Sequence, residues 1–557
     1  MKKPIDFFSL NKDYSVFVPA ISEMYSRYVS DPNPRRVPPA PLIKEDLNFL
    51  NPNSKLYFIR NCLYSAGQVA KTDKAALFKD MVTLRDPAWR TNLIGDSGGF
   101  QIETGAIKWE GIKTQKRILK WLEDNCDWSM ILDFPTGSIS RRGIDTYYSE
   151  YLIDNEGNQI LEEFDSIDSK GRTRKIRKPQ EIKHKLDFWF CLQRTMENND
   201  YFIKNRTPGA TKFLNVLQGR YHDFDLDEDF IENFDPNKYT WEEKKALLNA
   251  HKISEVDMWY AHVKKYSRDF SNRNFEGWAL AGKHKEDFAI TLRRIVIMLN
   301  EGMLQEKPWM HFLGMGKTKN GCVYTTIQRG IRNHEYGNKD FTISYDVSSP
   351  FTTAAFGNVL AKFTLTKESW RMNMDKVDGI QWIGSSAPMT GQKYGEDMFR
   401  SPISEYITMK DICINNDPNL SSTWDVAAYA FIMNHNVSVH MSAVLEAQKI
   451  YDLPLEESKE LVPSYLLEIK RIVEDILVLP KHKALSEIKK YRTELRKLEL
   501  PEKMSIKSTG KVSYGISTVE NTKLFNIEKT KKFEKPIWKN KVEKEKELDS
   551  TFNDLFG

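Results

Sequence analysis

The chain has 557 residues, of which 40% are apolar, and its formal net charge at pH 7 is +5. This length allows one large domain with appendages, because a single hydrophobic core seldom grows beyond about 250–300 residues. Its five cysteines are widely spaced, and it has neither an apolar signal region nor a run of roughly 18 apolar residues, which argues against a secreted disulfide-rich protein and a membrane protein. We therefore expect a soluble, cytoplasmic protein, whose small charge neither requires nor excludes a nucleic-acid partner.

The first 90 residues consist of aromatic segments interrupted by prolines. Residues 32–39 predict an irregular loop, and the apolar run that begins at Leu56 predicts a strand.

From Leu93 onward, short apolar runs alternate with longer segments of helical period, which is typical of repeated β-α units on a parallel sheet. Helices are predicted at residues 114–123, 287–299 and 323–332. Strands are predicted at residues 93–94, 129–132, 213–217, 278–280, 310–313 and 342–345. These strands and helices indicate an α/β fold.

A polar residue or a glycine follows each of five predicted strands. In a (β/α)8 barrel, the carboxyl ends of the strands form the catalytic face, where side chains from separate strands meet in one pocket. We therefore expect these residues to share one site: Asp96, Asp133, Gln218, Gly282 and Asp346.

Two segments interrupt the β-α pattern as inserts: residues 150–182, which are polar, and residues 222–275, which are acidic at first and then helical and aromatic. The first predicts a β-hairpin or loop that ends in a basic patch, on the active-site side of a barrel. Binding to the phosphates of a nucleic acid is one interpretation of this patch, and a solvated loop is the other. The basic residues are Arg172, Arg174, Lys175, Arg177 and Lys178.

The last part of the chain predicts helices at residues 426–433 and 437–451, followed by an amphipathic helical extension over residues 451–500. From about Glu502 the chain is rich in lysine and poor in apolar residues. Residues 501–557 therefore predict a disordered or loosely docked tail.

The hexapeptide Asp96–Gln101 places a carboxylate beside two adjacent glycines at the end of a strand. The glycines let the main chain turn sharply and approach a flat ligand, on which Phe100 can stack and to which Gln101 can hydrogen-bond. The simpler interpretation is that Asp96 caps the next helix and that the glycines only form a turn.

This hexapeptide resembles the signature of the tRNA-guanine transglycosylase superfamily, whose members exchange a guanine base in nucleic acid for a 7-deazaguanine. Further matches follow in the order of that family, between about residue 93 and residue 358. They are Trp128-Ser-Met-Ile-Leu-Asp133, Phe213-Leu-Asn-Val-Leu-Gln218-Gly219, Gly277-Trp-Ala-Leu-Ala-Gly282, Lys307-Pro-Trp-Met-His-Phe-Leu-Gly314-Met-Gly316 and Ile343-Ser-Tyr-Asp346. The resemblance implies a (β/α)8 TIM barrel over residues 91–450, with residues 1–90 as its N-terminal segment.

The resemblance also implies roles for individual residues. Base exchange breaks an N-glycosidic bond through a transition state of oxocarbenium character, which suits a carboxylate nucleophile and a second acidic group that moves a proton. The family's nucleophile matches Asp346, and its proton shuttle matches Asp96. The positions that bind the base match Asp133, Gln218 and Gly282, while Phe100, Gln101 and Met315 are further candidates for contacts with the ring. No cofactor is needed.

The sequence departs from the family at two places. The family's zinc module has three cysteines and a histidine, whereas this chain offers only Cys413 and His435. We therefore expect no bound metal, and we expect His435 to be structural. The arginines with which tRNA-acting members hold RNA phosphates are replaced by the sequence that follows Asp346, Val-Ser-Ser-Pro-Phe-Thr-Thr-Ala-Ala-Phe.

These departures resemble the DNA 7-deazaguanine transglycosylases of bacteriophages and bacterial genomic islands. That branch places 7-deazaguanines such as preQ0 in DNA, which in phages protects against restriction by the host. The predicted partners are therefore DNA and a 7-deazaguanine base. Lys283, which replaces an apolar residue beside the 7-substituent, leaves the identity of the incoming base open.

Two alternative functions are carried forward, a divergent tRNA-guanine transglycosylase and a catalytically silent subunit that binds nucleic acid. The silent subunit is disfavoured because Asp96 and Asp346 are both present. The sequence leaves a homodimer open.

Overall fold

The protein is described by a computed structural model. The described residues are 5–7, 13–103, 105–107, 109–137, 139, 146–154, 158–167, 172–222, 225–417 and 422–499. The lysine-rich tail predicted at residues 501–557 lies outside this part of the chain. Within the described ranges, no helix has both the length and the apolar character needed to cross a membrane.

A parallel sheet of eight strands, counted over the described residues, forms the centre of the fold. Its strands follow one another around the sheet in chain order, so each β-α unit places its strand beside the previous one. We number them β1 (Val16–Pro19), β2 (Asn61–Ser65), β3 (Asn92–Asp96), β4 (Trp128–Met130), β5 (Lys212–Leu217), β6 (Gly277–Leu280), β7 (Trp309–Phe312) and β8 (Thr342–Val347).

The sheet closes into a barrel through its first strand. β1 pairs with β8 in parallel, with Val18 opposite Asp346. On its other side, Ala20 forms a parallel bridge with Leu63, and the Ile21 amide donates to the Leu63 carbonyl at 2.9 Å. The α/β fold that the alternating pattern indicates, and the (β/α)8 barrel that the resemblance implies, are therefore confirmed.

Helices cover the outside of the barrel, and each strand is followed by at least one. Their apolar faces pack against strands that are buried on both sides, which is why the strands read as nearly continuous apolar runs. In chain order these helices are Glu23–Ser30, Ala66–Val69, Ile112–Asn125, Phe188–Asn205, Glu255–Val263, Phe288–Asn300, Thr318–Asn333 and Val426–Tyr451.

The range 222–275, which the sequence presents as an insert, contains one of these barrel helices, Glu255–Val263. Trp259 donates from Nε1 to the Val216 carbonyl at 2.9 Å, which fixes the helix on β5. Buried Asp257 accepts from Arg293 at 2.8 Å and from Arg294 at 2.6 Å, both on the next helix of the barrel. The helical character expected in the later part of this range thus includes a helix of the barrel itself.

The insert at residues 150–182 folds as two antiparallel strand pairs, and the second pair lies in the chain between the two strands of the first. Tyr147–Tyr151 pairs with Glu181–Lys185, and Leu161–Ile167 pairs with Thr173–Pro179. A backbone bridge between Trp109 and Glu150 attaches the insert to the loop that follows β3. The insert therefore projects from the carboxyl-end side of the barrel.

After β8, a short helix Ser349–Ala355 and the hairpin Val359–Thr366 with Ser369–Asp375 lead to the helix Val426–Tyr451. The sequence predicted two helices here, separated near residue 435, and that prediction was wrong. His435 and Asn436 lie in the middle of one continuous helix. Their polar groups find partners outside the helix: Asn436 accepts from the Leu360 amide at 2.8 Å and donates to the Pro350 carbonyl at 3.0 Å.

The helical extension consists of Ser464–Leu477, Lys481–Lys490 and Arg492–Arg496. The apolar positions of the first helix are buried in the main core, including Ile469, Val473 and Ile476. The amphipathic pattern therefore serves packing within the chain.

Candidate active site

Asp96 is the last residue of β3 and lies beside Ser65, the last residue of β2. The next turn brings the backbone of Gly98 against Gly67, so closely that a Cβ at Gly98 would lie 2.4 Å from the Gly67 Cα. Gly98 also has a φ of +83°, which an L side chain rarely adopts. The Gly98 amide donates to Asp96 Oδ1 at 3.3 Å, and this bond holds the carboxylate over the barrel end.

Asp346 lies near the end of β8 and is buried. Its Oδ1 accepts two hydrogen bonds, from the Gly314 amide at 2.7 Å and from His311 Nε2 at 3.2 Å. Among the described residues, no hydrogen bond to Oδ2 is found. One oxygen of the carboxylate is thus fixed by two donors, and the other is available to a ligand.

The two carboxylates are close enough to influence each other. Burial raises the pKa of Asp96 above its usual value, and the negative charge of Asp346 raises it further. Hydrogen bonds from Ser65 and the Gly98 amide oppose this rise only in part. Asp96 is therefore suited to hold a proton beside the negative charge of Asp346.

Asp133 and Gln218 form a second polar pair, at the ends of β4 and β5. Gln218 Nε2 donates to Asp133 Oδ2 at 2.6 Å, and Thr136 Oγ1 donates to Gln218 Oε1 at 3.5 Å. Burial raises the pKa of Asp133 to about 7, and the charge of nearby Asp96 adds to the rise. The Gln218 amide keeps one further N–H, so the pair offers an acceptor and a donor side by side.

Gly282 and Gly219 bring the loops after β6 and β5 into contact. A Cβ at Gly282 would lie 2.7 Å from the Gly219 carbonyl oxygen and 3.1 Å from Gln218 Oε1. The Lys283 amide donates to the same carbonyl at 2.6 Å. The absence of a side chain at Gly282 thus allows the two loops to meet next to Gln218. The side chain of Lys283 pairs with Glu286 at 3.5 Å.

The other three candidates for base contacts occupy different environments. Phe100 lies on the short helix Gly99–Glu103 and is 59% exposed. Met315 is 8% exposed and belongs to the hydrophobic core, while the Gln101 side chain lies against Gly67. The exposure of Phe100 is compatible with stacking on a flat ligand.

Two residues of the site were missed by the sequence reasoning, His311 on β7 and Ser344 on β8. His311 contacts Asp346, as described above, and its Nδ1 lies 2.8 Å from Ser344 Oγ. The two-residue period of a β-strand could have indicated Ser344, because Ser344 and Asp346 are two positions apart on one strand and so point to the same side.

The long helix Val426–Tyr451 contacts the loop that carries Gly314 and holds it in place. His440 Nε2 donates to the Gly316 carbonyl at 2.8 Å, and its ring stacks on Phe17 of β1 with centroids 4.4 Å apart. Burial lowers the pKa of His440 to about 4, so the ring stays neutral and keeps this geometry. The helix therefore supports the loop that binds Asp346.

Residues that match the family's zinc module do not form a ligand set. His435 Nε2 donates to the Leu360 carbonyl at 2.9 Å, and its Nδ1 lies 2.7 Å from Ser401 Oγ. The Cys413 thiol donates to the Val377 carbonyl at 3.0 Å. No group of three or more potential metal ligands occurs in the part of the chain that the structure describes.

The basic strand Thr173–Pro179 presents different charges on its two faces. Lys175 and Arg177 lie opposite Asp165 and Glu163, and both pair with Glu163, at 3.8 Å and 2.9 Å respectively. Alternate residues point the other way, so Arg174 and Lys178 share the face of half-exposed Phe164, on which Glu162 lies opposite Lys178. The second face therefore has two basic residues against one acidic residue, together with an aromatic ring. Arg172 precedes this strand.

This asymmetry gives a matched pair of variants. We expect Arg174→Ser with Lys178→Ser to weaken nucleic-acid binding and to reduce the slope of log affinity against log salt by about one unit per lost phosphate contact. Lys175→Ser with Arg177→Ser removes the same charge from the face that Glu163 neutralises, and we expect a smaller change. Fluorescence anisotropy over a salt titration measures both. Equal effects of the two pairs would indicate general charge attraction, and unchanged affinity would leave the hairpin as a solvated loop.

Comparison with protein-family models and with curated proteins found no match for this chain.

Proposed function

We propose that the protein is a base-exchange transglycosylase that replaces guanine in DNA with a 7-deazaguanine such as preQ0. The observation that carries the proposal is the position of four side chains at one end of the barrel. Asp96 and Asp346 form a close carboxylate pair, and Asp133 with Gln218 forms a hydrogen-bonded pair whose charge also reaches Asp96. The first pair suits the chemistry, and the second suits recognition of a guanine edge.

In the first half of the proposed reaction, Asp346 Oδ2 attacks C1′ of the nucleotide. The bond between C1′ and N9 breaks, its electron pair goes to the base, and Asp96 donates the proton that lets guanine leave as a neutral molecule. An aspartyl-glycosyl ester remains on the enzyme. The negative charge thus moves from Asp346 to Asp96.

The second half reverses these events with the incoming base. Asp96, now ionised, removes the proton from N9 of the 7-deazaguanine, and N9 attacks C1′. The Asp346 carboxylate leaves, so both residues return to their starting states. One glycosidic bond replaces another, and the balance needs no oxidant, reductant or nucleotide hydrolysis.

Recognition of the base uses the second pair. A carboxylate at Asp133 can accept the N1–H and N2–H donors of guanine, and the remaining N–H of Gln218 can donate to O6. A target base inside a duplex must first leave the stack, which costs a few kcal/mol.

The pKa of Asp133 makes base binding depend on pH. Because this pKa is raised to about 7, the carboxyl group is mostly protonated below pH 7 and then cannot accept both donors of guanine. We expect the KM for free guanine to be about tenfold higher at pH 6 than at pH 8, in inverse proportion to the ionised fraction of Asp133. Initial rates of labelled-guanine exchange measure it. Asp133→Asn should bind guanine weakly at both pH values, and a pH-independent KM in the wild type would contradict the assignment.

DNA is proposed as the acceptor because the arginines that tRNA-acting members use are replaced after Asp346. In their place stand Pro350 and the short helix Ser349–Ala355, whose carbonyl at Pro350 is bound by Asn436. Positive charge occurs elsewhere on the catalytic side, on the hairpin and at Lys285, whose Nζ lies 3.9 Å from the Cβ position of Gly314. A two-stranded ribbon of this kind can enter a DNA groove.

The test is a direct comparison of acceptors. Purified protein is incubated with labelled guanine or preQ0 and with duplex DNA, single-stranded DNA or unmodified tRNA, and digested nucleosides are analysed by mass spectrometry. We expect incorporation into DNA. Incorporation into tRNA alone would show that tRNA, and not DNA, is the acceptor. No incorporation into any of the three nucleic acids would favour a catalytically silent subunit.

A further inference from the structure

We propose that His311 is a positioning residue, which acts through Asp346 and selects the carboxylate oxygen that attacks C1′. The inference rests on the proposed function and adds a residue to it. It starts from a chain of hydrogen bonds inside the barrel, from Trp309 through Ser344 and His311 to Asp346.

The first group in this chain of hydrogen bonds is the Trp309 indole N–H, which can donate a hydrogen bond but cannot accept one. Trp309 Nε1 donates to Ser344 Oγ at 2.7 Å, and this bond occupies one lone pair of the hydroxyl. Ser344 Oγ lies 2.8 Å from His311 Nδ1, directly across from it on the neighbouring strand. With its lone pair engaged by the indole, the hydroxyl is free to turn its hydrogen toward Nδ1.

The last group in this chain of hydrogen bonds is the Asp346 carboxylate, which can accept hydrogen bonds but cannot donate one. The nucleophilic form of Asp346 is the carboxylate, so the 3.2 Å contact with His311 Nε2 requires a hydrogen on Nε2. A neutral imidazole with its hydrogen on Nε2 then has Nδ1 free to accept from Ser344. Every bond in the chain therefore points in one direction, from the indole toward the carboxylate.

The consequence is geometric. His311 and the Gly314 amide both bind Oδ1 of Asp346, from different elements, and together they fix the plane of the carboxylate. Oδ2 is left to face the sugar. In the ester intermediate Oδ1 becomes the carbonyl oxygen and still accepts both bonds. Both bonds strengthen again as negative charge returns to the leaving carboxylate.

The packing around His311 and Trp309 keeps both rings in fixed positions. His311 is fully buried in the barrel, and Trp309 packs on Trp128 with ring centroids 5.1 Å apart. Neither ring can turn without disturbing the core. The imidazole is thus held at one angle by packing and in one tautomer by the Asp346 carboxylate.

The test uses two amide substitutions that differ in which ring nitrogen they replace. The amide of His311→Gln reaches the position of Nε2 and can still donate to Asp346, whereas that of His311→Asn reaches only the position of Nδ1. We expect His311→Asn to lower kcat about ten- to hundredfold, as for loss of a hydrogen bond to a charged group, with KM nearly unchanged. His311→Gln should recover most of that loss. Equal rates for the two variants, at matched melting temperatures, would overturn the proposal.

A second measurement does not depend on catalysis. The chain has ten histidines, so imidazole nitrogen spectra of the full-length ¹⁵N-labelled protein can be assigned by comparison with the His311→Gln variant. We expect the Nε2–H tautomer for His311 in the wild type and also in Ser344→Ala, because the Asp346 carboxylate accepts from Nε2 in both. An Nδ1–H tautomer in the wild type would overturn the proposal even if exchange is observed. If the wild type exchanges no base with any acceptor, the proposed function fails, and the tautomer alone decides the hydrogen-bond chain.

Discussion

Replacing Asp346 with asparagine is expected to lower the rate of guanine exchange by roughly 10⁴-fold or more, because an amide cannot form the glycosyl ester. The shape of the side chain is retained, and Oδ1 can still accept from Gly314 and His311. Affinity for nucleic acid should therefore stay within a few-fold of the wild-type value. Labelled-guanine exchange and anisotropy titrations on the same preparation measure the two quantities.

A matched control lies at the opposite end of the same strand. Asp340 is exposed in the loop before β8, so Asp340→Asn makes the same chemical change at the other end of the strand from Asp346. It should leave exchange unchanged. Turnover of Asp346→Asn near the wild-type rate would remove Asp346 from the mechanism.

Replacing Asp96 with asparagine is expected to lower exchange by about 10²–10⁴-fold, the usual range for loss of a general acid-base group. The effect differs in kind from that of Asp346→Asn, because the nucleophile remains. The covalent protein–DNA adduct should therefore still form, only slowly. Single-turnover reactions quenched in denaturant and separated on a gel show this adduct directly.

The residues that hold Asp96 provide its control. Ser65→Ala removes one hydrogen bond to Asp96 but keeps the carboxyl group, so we expect a loss of less than tenfold. If Asp96→Asn and Ser65→Ala slow exchange equally, Asp96 has no role as a proton donor. If Asp96→Asn forms no adduct at all, Asp96 is needed before the chemical step.

The barrel was predictable from sequence where apolar runs were short and ended in polar residues. Six predicted strands agree with the structure to within a few residues, including β5 and β8. β1, Val-Phe-Val-Pro, and β2, Asn-Cys-Leu-Tyr-Ser, were missed because neither short segment has a clear period. Whether such a segment forms a strand depends on partners that are distant in sequence, since β1 becomes part of the sheet by pairing with β8.

The site was predictable to the extent that its residues follow strands. Asp96, Asp133, Gln218 and Asp346 lie at strand ends, where position alone indicates the catalytic face. His311 was not predicted, because a buried histidine inside a strand usually serves packing. Only the register between β7 and β8 shows that it contacts Asp346.

The long helix Val426–Tyr451 has a consequence for the synthesis of this protein. Gln448 donates to the Ser15 carbonyl at 3.1 Å, and Asn434 donates to Tyr25 Oη at 2.9 Å, so the last barrel helix binds the first strand and its helix. A ribosome that adds about 5–20 residues per second needs roughly 20–90 s to make the residues between these partners. Until β8 has been made, and later this helix, β1 lacks two of the elements that cover it. One edge of β1 therefore stays unpaired in the nascent chain until the segments that complete the barrel have been synthesised.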